Sequence, residues 1–158
     1  MTEQVRRDFV KYSFFKVDPE WRRLSEKDRQ DSKAQFAEVL GEFSDRVSMS
    51  SYSMVGTRGD ADFLLWKVSE ELEAINELMA RINHTELARY LTMPHSYLAM
   101  TRRPPYIHHH KHEGQEGTDS ATIRIIAPKY VFIYPFIHTH ALYQLPTEHR
   151  QELLHAHL

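Results

Sequence analysis

The chain of 158 residues has no cysteine and only five glycines, and none of its apolar runs approaches the ~20 residues of a membrane-spanning helix. Without cysteine there are no disulfides, thiolate metal sites, cysteine nucleophile or iron–sulfur cluster. Excess charge of one sign is also missing. Lys and Arg number 20 against 22 Asp and Glu, a net charge of −2 with histidine neutral, which argues against a nucleic-acid partner held by a basic surface. The opening residues MTEQVRRDFV have no signal-peptide core, so a cytoplasmic chain without a membrane span is the expectation. At 41% hydrophobic, a chain of this length suits one domain or slightly more, on the scale of about 100–200 residues each. Histidine is the abundant exception: eleven in all, nine of them from His108 to His157.

Residues 8–17, DFVKYSFFKV, are aromatic and β-branched and predict a strand. Asp18-Pro19 then supplies an N-cap and a first-turn proline, opening one long helix that runs to Phe43. Residues 47–68 predict a hairpin whose five-residue connection is Gly56–Asp60. Leu72, Ile75, Leu78, Met79 and Ile82 form an apolar stripe at helical spacing. A helical piece at 85–91 and a strand at 96–101 follow. The order β-α-β-β-α-β is that of a ferredoxin-like half, an α+β fold with helices on one face of an antiparallel sheet. It fits residues 1–102.

Residues 103–119, RPPYIHHHKHEGQEGTD, read as an exposed linker rich in His, Pro and Gly. Beyond it, 120–158 reads as an incomplete second ferredoxin-like repeat. Residues 121–127 and 129–139 are expected as a strand pair or as one strand interrupted at Pro128, with Tyr130, Phe132, Tyr134, Phe136 and His138 on one face if the alternation survives Pro135. Pro146 opens a helix over 147–157. A strand and one helix have little core of their own, so this piece is expected either to be truncated or to pack on the first half or another subunit.

Several constellations could carry chemistry. His157 lies at i+4 and i+3 from Leu153 and Leu154, so an imidazole could be aimed into an apolar pocket as an iron ligand, with Tyr134 on an aromatic strand nearby. A solvated histidine at a helix end explains the same spacing. His108–His112, HHHKH, could take up Zn²⁺ or Ni²⁺ opportunistically, or be a solvated loop. His149 and His157 are about 12 Å apart by a helical rise of ~1.5 Å per residue, too far to share one metal. Thr57–Asp60 suggests a phosphate loop, but no helix follows it, so a hairpin turn is the simpler account.

Longer stretches carry more than spacing does. YSMVGTRGDADFLLW (Tyr52–Trp66), SYLAMTRRPPY (Ser96–Tyr106), KYVFIYPFIHTHALY (Lys129–Tyr143) and LPTEHRQELLHAHL (Leu145–Leu158) resemble the chlorite dismutase-like haem proteins, and within them the coproheme decarboxylases. The resemblance covers nearly the whole chain apart from the histidine loop. It implies two tandem ferredoxin-like halves in a homopentameric ring, with haem b or iron-coproporphyrin III held by the C-terminal half. It implies that His157 is the proximal iron ligand and Tyr134 the redox-active tyrosine. It further implies hydrogen peroxide as co-substrate, used to convert two propionates successively into vinyls in haem biosynthesis.

Two positions depart from the family pattern. His138 stands where the family has lysine four residues past the tyrosine, and His140 where it has arginine. His138 could still donate a hydrogen bond to a propionate when protonated. Arg124 is the local candidate for a propionate clamp, by its guanidinium geometry, against the alternative of a strand-edge arginine. The family's distal residue, arginine for chlorite chemistry and glutamine in many decarboxylases, is expected beyond Leu158. Three functions therefore stand together: a coproheme decarboxylase, a chlorite dismutase-type oxidoreductase, and a haem-binding or oligomerisation module without catalysis.

Overall fold

The computed structural model describes residues 7–101, 128–135, 137 and 139–155. The chain divides into two units, Met1–Pro128 and Lys129–Leu158.

In the first unit, strand β1 (Phe9–Val17) leads into helices α1 (Pro19–Arg23) and α2 (Glu26–Glu42). Strands β2 (Ser48–Ser53) and β3 (Phe63–Ser69) form the hairpin, helix α3 (Leu72–Asn83) and a 3-10 turn (Leu87–Tyr90) follow, and β4 (Leu91–Met100) closes the sheet. The strand order is β2-β3-β1-β4, with every neighbouring pair antiparallel. This is the ferredoxin-like arrangement expected from the sequence.

The register decides what each face carries. Phe15 and Leu65 project toward the helices, where they join Phe36, Val39 and Phe43 of the α2 region and Ala74, Ile75, Leu78 and Ile82 of α3 in one core. The stripe read in the sequence is thus the buried side of α3. On the opposite face Tyr12 stacks on Trp66, with ring centroids 5.9 Å apart, and Phe14 meets His95 and Tyr97 edge-on. Aromatic pairs of this geometry add about 0.5–1.5 kcal/mol beyond their area.

Four expectations need correction. The helix read through Phe43 breaks at Leu24, because Ser25 caps a second helix by accepting a 3.1 Å hydrogen bond from the Asp28 amide. The hairpin connection is longer than five residues, spanning 54–62, because the Thr57 and Arg58 amides both donate to the Met54 carbonyl and wind the chain into a turn before β3 begins. Gly56 takes φ +83°, a value that favours glycine. The helical piece at 85–91 is a short 3-10 turn, Leu87–Tyr90. Finally, β4 begins at Leu91 rather than Ser96. One extra residue enters β4 between the pairs Phe14↔His95 and Lys16↔Thr92, a bulge at Met93-Pro94 that lets a strand contain a proline.

The second unit has helices α4 (His140–Gln144) and α5 (Thr147–His155). The expected strand over 129–139 is not formed among the described residues, nor is a partner strand present among them in this unit; a strand exists through its ladder, and alternation alone supplies no hydrogen bonds. The expected strand at 121–127 lies outside the described residues. None of the described helices is long and apolar enough to cross a membrane.

Candidate functional site

The residues from Tyr130 to Tyr134 alternate in exposure although they pair with no described strand. Tyr130, Phe132 and Tyr134 are exposed, Val131 and Ile133 half-buried. Three aromatic rings therefore lie on the open side of an extended segment, with Tyr134 at 75% exposure. The Lys129 ammonium sits 5.2 Å from the Tyr130 ring centre, a cation–π contact at the start of the row. Pro135, directly after Tyr134, fixes the backbone and removes an amide donor.

Downstream, Thr139 occupies the N-cap position of α4, and Pro146 precedes α5, whose first-turn amide at Arg150 donates to the Pro146 carbonyl at 3.0 Å. The expected helix is thus present over Thr147–His155. Of the four residues singled out for chemistry, Tyr134 alone is among the described residues. Arg124, His138 and His157 lie outside them, as does the His108–His112 loop.

The donors available suit an iron porphyrin in kind. A flat apolar macrocycle requires aromatic and aliphatic cover, and the row Tyr130, Phe132, Tyr134 leaves such surface uncovered. Tyr134 adds a phenol that can donate or accept a hydrogen bond. Among the described residues no group of three or more His, Asp or Glu could hold a metal ion.

A polar cluster in the first unit escaped the sequence reading. Asp60 accepts from Arg58 Nε at 2.8 Å and lies 2.6 Å from His95 Nε2, joining the β2–β3 connection to β4. The Arg58 guanidinium and the His95 ring hold the Asp60 carboxyl well below the usual carboxylate range. Thr57–Asp60 is a turn with a charged clamp. Arg58 and Asp60 stand in the recognisable Tyr52–Trp66 stretch, but His95 is 35 residues away from Asp60, so only the folded sheet order could have revealed the contact.

Comparison with known proteins agrees with the fold. The profile of a family described as chlorite dismutase matches residues 29–158. A coproheme decarboxylase from Mycolicibacterium smegmatis is 27% identical over 152 residues, covering 94% of this chain and 62% of the relative. The chain therefore spans less than two thirds of that protein's length. A variant of the chlorite dismutase from Candidatus Nitrospira defluvii superposes with a TM-score of 0.74 at 17% identity, over 95% of this chain and 63% of that one. A heme-binding protein from Thermus thermophilus gives a TM-score of 0.53 at 23% identity, over 60% of this chain and 40% of that one. The sheet order, the motif stretches and a match across most of the sequence converge, and the chain belongs to the chlorite dismutase family.

Proposed function

We propose that this chain serves a haem-binding oxidoreductase whose reaction is the peroxide-dependent decarboxylation of iron-coproporphyrin III. The observation that carries the proposal is Tyr134: it stands in the Y-P-F run and ends an exposed row of aromatic rings suited to cover a macrocycle. The M. smegmatis relative supports the same substrate class.

In this proposal residues 1–102 are the ferredoxin-like scaffold, 103–119 the linker and 120–158 the part of a second repeat that carries the site, in an assembly of several copies, a pentamer by resemblance. His157 would hold the iron through an imidazole nitrogen, and Arg124 would clamp a propionate carboxylate. When bound, the iron porphyrin supplies the redox chemistry with hydrogen peroxide. The contribution of Tyr134 is positional: a phenol oxygen close to a propionate can give up its hydrogen atom and regain one from the propionate side chain. For each propionate, one peroxide and one proton yield a vinyl group, carbon dioxide and two waters. His138 would donate a hydrogen bond to a carboxylate while protonated.

The test combines binding and turnover. Ferric coproheme added to the chain should shift the Soret band, and His157→Ala should abolish the shift. Peroxide should then give three- and two-propionate products by mass spectrometry, and Tyr134→Phe should stop their formation while leaving the Soret shift. His138→Lys should extend activity to higher pH, because an imidazole with an ordinary pKa of ~6.5 loses its charge where lysine keeps it. An unchanged pH–rate profile would remove His138 from the site.

A second reading has its own support. His138 replaces the lysine of the family pattern, and the loss of a fixed charge there favours a haem-binding module without turnover. Binding with no product would select that module. Oxygen release from chlorite would select the dismutase.

A further inference from the structure

We infer that Lys67 is a proton-controlled fastener: as a free amine it ties β3 to β1 and α3, and taking up a proton weakens the attachment of α3 to the sheet. Lys67 lies in the middle of β3, on the face that meets the helices, and is 0% exposed. Its Nζ donates to the Ser13 hydroxyl oxygen of β1 at 2.8 Å and lies 3.1 Å from the Met79 sulfur of α3. An uncharged amine has two N–H donors, which these two acceptors match. An ammonium has three, and the third would be left without a partner in an apolar core.

Among the described residues no countercharge relieves it. Across the β1 ladder stands Lys11, another cation, whose Nζ turns away to the Ser96 hydroxyl at 2.6 Å. Across the β2 ladder stands Met49. The charged side chains of α3 are exposed, where Glu77 pairs with Arg46 and Arg81 with Glu42 of α2. Among the described residues no carboxylate forms an ion pair with Lys67. Burial, reinforced by the Lys11 charge, pushes the amine down to about 7.

The direction of the effect follows from proton counting. The unfolded chain has an ordinary lysine pKa of ~10.4 and so binds more protons than the folded chain between about pH 7 and that value. Stability accordingly rises with pH across this window. Below it both states carry the proton and the folded chain bears the full burial penalty. For a single site the unfolding constant should be roughly tenfold larger at about pH 6 than at about pH 8.

Two measurements test this on the full chain. Side-chain NMR of labelled lysine should show the amine assigned to Lys67 titrating near neutrality, well below the ordinary lysine value of about 10.4. Hydrogen exchange, corrected for its intrinsic pH dependence, should show α3 amides losing protection on acidification. The paired change Lys67→Met with Ser13→Ala, which removes the amine without stranding the hydroxyl, should cancel that loss. A Lys67 titration above about pH 9.5, or the same acid loss of α3 protection in the double variant, would overturn the inference. The NMR titration needs no variant and decides the matter if the double variant does not fold.

Discussion

The two units use aromatic residues in opposite ways. In the first, Phe15, Phe36 and Phe43 are buried, and Phe15 stacks on Phe63 with centroids 4.9 Å apart. In the second, Phe132 is 84% exposed, and Tyr130 and Tyr134 are exposed with it. Both units contain alternating aromatic segments, but among the described residues only the first has a ladder with helices packed on it. A period-two pattern fixes which side chains share a side of the backbone. It does not say what covers that side.

The sharpest challenge to this contrast is a pair of truncations. Leu78→Ala removes a 0%-exposed side chain from the centre of α3 and should cost about 2–5 kcal/mol in urea unfolding. Phe132→Ala should change the stability of the ligand-free chain by less than about 0.5 kcal/mol, yet weaken the Soret response to coproheme. Similar losses in the two variants would mean that the second unit has a core after all. A smaller effect refines the account of the first unit: Ser25→Ala should cost about 1 kcal/mol by removing the α2 cap, read in the same unfolding experiment. Smallest of all is Asp60→Asn. The Asp60 carboxyl is lowered in the folded chain, so its contribution is present above the ordinary carboxylate pKa and fades as pH falls through the folded one. Because the clamp is solvent-exposed the variant should lose only slightly in stability at neutral pH, and that small difference should vanish as pH falls, flattening the acid limb of a stability–pH profile.

The sequence made some of these features plain and concealed others. The α3 stripe was legible because its members line up on the side that meets the core. The break at Leu24 was not, because Asp18-Pro19 already supplied a convincing helix start and the first half of the following segment is too charged to show where its apolar face begins. Ser25-Glu26-Lys27-Asp28 contained the signal, a capping residue with an acidic side chain three positions on. Pro94 hid the first part of β4, since proline argues against a strand until a bulge makes room for it. At the candidate site, Tyr134 was named from its motif alone, and the structure adds that it is exposed. Lys67 carried no signal at all: its burial depends on β1, β2 and α3 meeting around it, and nothing local distinguishes it from Lys16, a half-exposed lysine on β1.

The bulge at Met93-Pro94 also bears on how the sheet resists unwanted growth. In the described sheet β4 is an outer strand of ten residues, long enough to template a neighbouring chain. Proline offers no amide there and the bulge throws the hydrogen-bonding rhythm out of step, so an incoming strand would meet an interrupted tape. An edge so interrupted discourages fibril-like stacking.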